Sequence, residues 1–163
     1  MSEDKDKWTY QSEVAWTRKL CKEMEAAGAV VVPLVGGGMC SGLPDRLIIY
    51  KDWQGLIEFK GPKTKIRLNQ ELMIRKINKR CNFFTVICRA GRDTGRDSVH
   101  ADFCQNTGLD KTGGYATLNT PIWHSFQLAF DGTGLGLLKA IIELKGWVAS
   151  LKDFIRVYTP KGS

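Results

Sequence analysis

Apolar and polar positions in the first half of the chain define two short apolar runs, residues 47–50 and 56–59. Both runs are rich in β-branched and aromatic residues, and the segment between them is mostly polar and ends at Gly55. Short apolar runs around a polar, glycine-containing turn predict a β-hairpin. We expect a turn centred on Asp52 and Trp53, with a loop of either two or four residues.

Three charged residues fall on one face of this predicted hairpin. Antiparallel pairing about that turn sets Leu47 opposite Glu58 and Asp45 opposite Lys60, and side chains alternate between the two faces of a strand. Asp45, Glu58 and Lys60 therefore share a face, and diagonal neighbours in such a pair lie roughly 7–8 Å apart between backbones. Two carboxylates and an ammonium group are thus expected to converge at one end of the hairpin.

A helix is predicted before the hairpin, over residues 12–27. It ends at Gly28, since glycine commonly follows the last turn of a helix. Apolar residues at spacings of three and four form its inward stripe, and extending that stripe backwards reaches Glu13. The stripe comprises Trp16, Leu20, Met24 and Ala27.

Three further elements complete the predicted core, which spans about residues 10–90. Residues 29–32 form the first strand, and residues 83–88 form a buried strand. Between the hairpin and that last strand, a helix capped by Asn69 runs to Arg80. The order of helix, three strands, helix and strand predicts an α/β fold with a mixed sheet.

The chain beyond the core differs in character, although we expect a single domain over residues 1–163. Residues 89–134 are rich in Gly, Asp, Thr and Asn and read as a loop-rich insertion, with an irregular strand over 122–130. Residues 135–151 predict a helix that is apolar on more than one face, and it must be buried in the core or against a second subunit. A final edge strand is expected at 154–158.

The composition of the expected cluster suits phosphoryl chemistry with a divalent metal. Carboxylate oxygens such as those of Asp45 and Glu58 are hard ligands for Mg²⁺ or Mn²⁺, and Mg²⁺ usually takes only one or two of them. A bound ion polarises a phosphoryl oxygen and lowers the pKa of a bound water. Lys60 could hold that water or stabilise developing negative charge. The alternative is a surface hairpin with scattered charges.

The pattern resembles the PD-(D/E)xK nuclease superfamily, and its fuller form is similar to the VRR-NUC branch, which includes small stand-alone phage-type nucleases. The segments that carry the resemblance are Pro44-Asp45, Glu58-Phe59-Lys60, Gly61-Pro62 and Leu68-Asn69-Gln70. It implies that Asp45 and Glu58 bind metal, that Lys60 is catalytic and that Gln70 supports the site. It also implies a restriction-endonuclease-like fold for the core.

Glu13 and Gln70 each have two interpretations. Members of the resembled superfamily often add a glutamate from the first helix to the metal, which would give Glu13 that role; alternatively Glu13 only complements the positive end of its helix. Gln70 is expected to face inward, where a buried amide needs hydrogen-bond partners, and Lys60 or a metal-bound water would serve. Its alternative role is to cap the helix N-terminus.

Basic residues near the expected metal are candidates for contacts with nucleic-acid phosphates. The candidates are Lys63, Lys65, Arg67, Arg46 and Arg75. Solvated surface charge is the alternative for the first three, and a solubilising role on the outer helix face is the alternative for Arg75. Five residues of the insertion could either contact phosphates or stack on bases, or only anchor the loop, and loop anchoring is favoured. They are Arg89, Arg92, Arg96, Tyr115 and Trp123. A structural role is favoured for His100 and His124.

Net charge and cysteine usage indicate the kind of partner and the cellular compartment. The chain has 24 Lys and Arg against 17 Asp and Glu, and the net charge of +7 suits a polyanionic partner. No apolar run reaches about 18 residues, so no transmembrane helix is expected, and residues 1–7 lack the apolar core of a signal peptide. Five cysteines without CxxC spacing indicate a reducing, intracellular compartment, cytoplasmic or nucleoid-associated. The compact stand-alone architecture favours a viral source.

These patterns together predict a Mg²⁺- or Mn²⁺-dependent endonuclease that hydrolyses DNA phosphodiester bonds. Small stand-alone members of the resembled branch are often dimeric and directed to flaps or four-way junctions, which implies branched DNA as the partner and a homodimer. The alternative is a non-catalytic DNA-binding module that keeps the nuclease fold.

Overall fold

One six-stranded mixed sheet and three helices make up the protein in a computed structural model. The structure describes residues 8–34, 42–51, 53–80, 84–91, 96–105 and 122–158. Its elements in chain order are α1 (Tyr10–Ala26), β1 (Val30–Pro33), β2 (Arg46–Tyr50), β3 (Trp53–Lys60), α2 (Leu68–Arg80), β4 (Phe84–Arg89), β5 (Asp97–Gln105), β6 (Ile122–Phe130) and α3 (Gly134–Tyr158).

The strands lie in the sheet in the same order as in the chain, β1 to β6. All neighbours are antiparallel except β3 and β4, which are parallel and are joined by α2. A parallel pair needs a long crossover connection, and α2 supplies it. The predicted α/β class, the mixed sheet and the order of the first six elements are therefore confirmed.

The hairpin of β2 and β3 is formed with a tighter turn than the predicted pairing. Tyr50 pairs with Trp53 and Arg46 with Ile57, so the loop has two residues, and Lys51 within it has a positive φ of 55°. Two-residue hairpin loops favour such left-handed residues because their twist matches that of the strands. The predicted register was wrong by two residues, and an even shift leaves every side chain on its predicted face.

Helices cover both faces of the sheet. α1 and α3 contact each other on one face, and α2 contacts β4 and β5 on the other. The α1 and α3 side holds the main core, to which β3 contributes Ile57 and Phe59. Alternation then directs Glu58 and Lys60 of the same strand to the side of α2. The fully buried core side chains include Leu20, Met24, Ile48, Val86, Val99, Leu137, Leu138, Ile141 and Leu144.

Both predicted helix starts need correction by local capping. α1 begins at Tyr10 rather than Ser12, because Thr9 and Ser12 form a reciprocal capping box. α2 begins at Leu68, which places the predicted cap Asn69 inside the helix. The backbone N–H of Arg67 donates to Gln70 Oε1 at 3.2 Å, so the glutamine side chain caps the helix two residues earlier.

The C-terminal half is more regular than predicted. β5 and β6 pair over nine residues each, from Asp97 opposite Phe130 to Gln105 opposite Ile122. The strand predicted at 122–130 is confirmed, and the loop-rich interpretation of 89–134 was wrong for β5. β5 has the alternation of a half-buried strand, with Val99 and Ala101 buried between polar residues, but the Gly-, Asp- and Thr-rich composition around it favoured a loop.

α3 continues through the segment where a last strand was predicted. It extends to Tyr158, so the strand at 154–158 was wrong. No proline interrupts the helix before Pro160, and nothing forces it to end earlier. α3 buries its apolar face in the core of the same chain, the first of the two options that its sequence allowed. Within the described ranges, no helix combines the length and apolar character that crossing a membrane requires.

Two leucines near the start of α3 provide a matched test of this packing. Leu137 is fully buried and Leu135 is 43% exposed. We predict that Leu137→Ala lowers the free energy of unfolding by about 2–5 kcal/mol because it leaves a core cavity. Leu135→Ala should change it by less than about 1 kcal/mol. Urea unfolding measures both, and equal losses would contradict the packing of α3.

Candidate active site

Glu58 is the buried acid around which the candidate site is built. Its Oε1 accepts hydrogen bonds from Lys60 Nζ at 2.9 Å and from Gln70 Nε2 at 2.6 Å. Its Oε2 is also buried but has no hydrogen-bond partner within the described residues. Burial raises the pKa of Glu58, the Lys60 hydrogen bond opposes that rise, and the negative charge of Asp45 adds to it. The carboxylate therefore has one satisfied oxygen and one available oxygen.

Gln70 connects this acid to Lys60. Its Oε1 accepts from Lys60 Nζ at 3.1 Å, while its Nε2 donates to Glu58. An ammonium group only donates, so the amide orientation is fixed by chemistry. The same Oε1 accepts from Arg67 N. The two predicted roles of Gln70, supporting the site and capping the helix, are therefore both present.

Lys60 lies at the end of β3 and is nearly as buried as Glu58. Its ammonium group has three donors, and Glu58 Oε1 and Gln70 Oε1 accept two of them. The third donor has no acceptor among the side chains that the structure describes. Lys60 is therefore held on two sides and can still donate one hydrogen bond.

Asp45 stands just before β2, at the end of the strand ladder. The pairing of β2 with β3 stops at Arg46 and Ile57, so the backbone N–H of Phe59 has no strand partner. Asp45 Oδ2 accepts that N–H at 2.9 Å. Continuing the register by one residue brings Asp45 opposite Glu58, whose pKa its charge raises. The predicted convergence of the two acids is confirmed.

A cleft of about 450 Å³ brings the predicted residues together, and we call it the Glu58 cleft. Asp45, Glu58, Lys60, Gln70 and Glu13 all line it. The other lining residues are Trp8, Thr9, Tyr10, Phe59, Thr64, Lys65 and Arg67. The two acids, the ammonium group and the amide of Gln70 therefore border one cleft, with Glu58 and Lys60 themselves almost fully buried.

Glu13 holds the turn that follows Lys60. Its Oε2 accepts the backbone N–H of Gly61 at 2.7 Å and the hydroxyl of Thr64 at 3.2 Å. A Cβ at Gly61 would lie 2.8 Å from that oxygen and 2.4 Å from Trp8 Nε1, so any other residue there would displace one of these side chains. Arg89 Nη1 donates to the carbonyls of Gly61 and Thr64, which confirms that this arginine anchors a loop.

The donor set fits an open site for Mg²⁺ or Mn²⁺, without Glu13 as a ligand. Among the residues that the structure describes, no three His, Cys, Asp or Glu side chains are grouped so that they could hold a metal. Glu13 is not grouped with Asp45 and Glu58, and its Oε2 accepts from Gly61 and Thr64. Mg²⁺ needs only one or two carboxylates and keeps waters or phosphate oxygens in its other positions. The unpartnered Glu58 Oε2 and the nearby Asp45 supply that number.

Only some of the predicted phosphate-binding residues lie at the Glu58 cleft. Lys65 and Arg67 line the Glu58 cleft, and Lys63 is exposed on the adjoining turn. Arg46 lies on the opposite face of the sheet, where its Nη1 donates to the carbonyl of Asp45. Arg75 pairs with Glu71 at 2.7 Å along α2 and does not line the cleft.

The remaining candidates lie elsewhere. Arg92, Tyr115 and the side chain of Trp123 are outside the described residues. His100 Nε2 contacts both Asp102 Oδ1 at 3.0 Å and Ser125 Oγ, and the hydrogen bond from His100 lowers the pKa of Asp102. In a hydrolase triad the acid and the serine contact different ring nitrogens. This cluster therefore links β5 to β6, in agreement with the structural role favoured for His100.

Sequence patterns did not predict that Trp8, Thr64 and Arg89 meet at the turn after Lys60. Trp8 packs beside Gly61, Thr64 donates to Glu13 across 51 residues, and Arg89 donates to the carbonyl of Thr64 across 25 residues. No local pattern encodes such distant contacts. Comparisons with protein-family models, with curated proteins and with solved structures each found no match to this chain.

The bridge made by Gln70 can be tested by stability. We predict that Gln70→Ala lowers the free energy of unfolding by about 1–3 kcal/mol, because Glu58 and Lys60 each lose a buried hydrogen-bond partner. Gln11→Ala, an exposed glutamine of α1, is the matched control and should change it by less than about 0.5 kcal/mol. Urea unfolding without divalent metal gives both values. Indistinguishable variants would show that the bridge contributes nothing.

Proposed function

We propose that this protein is a nuclease that uses Mg²⁺ or Mn²⁺ to hydrolyse DNA phosphodiester bonds. The observation that carries the proposal is the buried Glu58 Oε2, which has no hydrogen-bond partner among the described residues and borders the same cleft as Asp45. A buried carboxylate oxygen that makes no hydrogen bond is costly. A divalent cation bound by both acids would remove that cost and the repulsion between them.

Each residue of the cluster has a distinct part in the proposed reaction. Glu58 Oε2 and Asp45 would hold the ion, which when bound polarises a phosphoryl oxygen and lowers the pKa of a water. Lys60 has one N–H without an acceptor among the described side chains, and it would donate to the attacking water or to an oxygen of the phosphate as negative charge develops there. Gln70 fixes the ammonium and the carboxylate relative to each other, which limits the reorganisation needed during reaction.

The resemblance to the PD-(D/E)xK superfamily agrees with these assignments. The acid after Pro44, the Glu58-x-Lys60 pair and the glutamine that opens α2 line one cleft in the order that the motif implies. The α1, β1 to β3, α2 and β4 order is that of the predicted restriction-endonuclease-like core. These features support the VRR-NUC assignment as part of the proposal.

Substrate geometry is the less constrained part of the proposal. The net charge of +7 and the basic rim of Lys65 and Arg67 favour a nucleic-acid polyanion. Flap or four-way-junction DNA and a homodimer follow from the resemblance to small stand-alone enzymes. A cleavage panel of duplex, single-stranded, flap and junction DNA separates these substrates.

The catalytic proposal is tested with one substitution and one matched control. We predict that Lys60→Ala reduces DNA cleavage by at least about 10²-fold, because a positioned donor to developing charge is lost. DNA binding should be retained. Lys139→Ala, an exposed lysine on α3, should cleave normally. EDTA should abolish wild-type cleavage, and Mg²⁺ or Mn²⁺ should restore it without ATP.

Circular dichroism checks that Lys60→Ala is folded, since Glu58 loses a buried partner in that variant. Undiminished cleavage by a folded Lys60→Ala protein would contradict the assignment. Wild-type protein that binds DNA but never cuts it, with either metal and across the substrate panel, would favour the non-catalytic DNA-binding module instead.

A further inference from the structure

A second cleft of about 470 Å³ adjoins the Glu58 cleft along α1. Tyr10, Glu13 and Asp45 line both clefts, so the two meet beside the proposed metal ligands. We call this second depression the α1 cleft. Its other lining residues are Val14, Thr17, Arg18, Cys21, Lys22, Glu25 and Arg46.

Three cations line the α1 cleft, namely Arg18, Lys22 and Arg46. Arg18 and Lys22 are one helical turn apart on α1 and are exposed. Neither forms an ion pair with any described residue. Arg46 faces them from β2, where it bonds to the carbonyl of Asp45 and to the thiol of Cys21.

The acids of the α1 cleft are already engaged, apart from Glu25. Glu13 accepts hydrogen bonds from Gly61 and Thr64, and Asp45 accepts one from Phe59. Those hydrogen bonds come from neutral groups and leave the carboxylates charged, so three cations and three acids line the α1 cleft. Arg18 and Lys22 are its exposed cations without an ion-pair partner among the described residues. Tyr10, 82% exposed where the two clefts meet, offers a ring on which a base can stack.

We infer that the α1 cleft binds the nucleic-acid strand that continues from the phosphodiester at the Glu58 cleft. Arg18 and Lys22 contact its phosphates, and Arg46 supports them from the sheet. The inference rests on the proposed nuclease function and names the path of its substrate. It also gives Arg46 a place in binding on the face of the sheet opposite to Glu58.

The test compares two double variants that remove the same charge. Arg18→Ala with Lys22→Ala alters the α1 cleft, and Lys139→Ala with Lys145→Ala alters the exposed side of α3. Fluorescence anisotropy with a labelled single-stranded oligonucleotide, in Ca²⁺ instead of Mg²⁺, gives Kd at several salt concentrations. All four positions are exposed, and unchanged urea midpoints confirm that both proteins are folded.

The α1 variant should bind about 20-fold more weakly at 0.1 M salt, and the slope of log Kd against log salt should fall by about 1.4, the value for two lost single-strand phosphate contacts. The α3 variant should keep the wild-type slope. Hydrolysis of thymidine 5′-(p-nitrophenyl phosphate), an ester small enough for the Glu58 cleft alone, should be the same in both.

Equal affinities and slopes in the two double variants would overturn the strand path. The proposed nuclease function would survive that result, because wild-type cleavage and hydrolysis of the small ester do not depend on it. Wild-type protein that hydrolyses neither the small ester nor any oligonucleotide would instead remove the proposed function, and the strand path with it.

Discussion

The candidate site depends on a buried carboxylate whose second oxygen has no hydrogen-bond partner in the part of the chain that the structure describes. Glu58 is almost fully buried, and Lys60 and Gln70 satisfy only its Oε1. Asp45 adds a second negative charge beside it, so burial and repulsion both favour the protonated acid. A divalent cation held by both acids, as proposed, would reverse that preference. The protein thus keeps, at one end of its sheet, a cluster that its own groups stabilise incompletely.

The scaffold explains how such a cluster is held in place. β3 is a central strand, and its alternation sends Ile57 and Phe59 to the core while Glu58 and Lys60 face the α2 side. The crossover through α2 returns the chain over that side and delivers Gln70 from its first turn. Long-range bonds from Glu13 and Arg89 fix the intervening turn. The polar residues are therefore positioned by the best-packed part of the molecule.

Local sequence patterns were enough to predict the core elements and the composition of the site. They failed where a structure depends on contacts between residues far apart in the sequence. The face shared by Asp45, Glu58 and Lys60 survived a wrong register because a shift of two residues preserves alternation. β5 has the same alternation, with Val99 and Ala101 buried between polar residues, but it was missed because the composition around it is typical of a loop. Glu13 lies beside the cleft as its helix stripe predicted, but its carboxylate holds Gly61 and Thr64. That competition between a metal and a backbone N–H cannot be read from helix periodicity.

The central claim is that Glu58 Oε2 and Asp45 share one divalent ion, and a crystal of the protein soaked in Mn²⁺ tests it most directly. Anomalous diffraction locates manganese independently of any activity. The account predicts one strong peak within bonding distance of Glu58 Oε2 and an Asp45 carboxylate oxygen, with Lys60 and Gln70 still bound to Glu58 Oε1. A fully occupied peak elsewhere, with Glu58 Oε2 bonded to a protein donor, would contradict it.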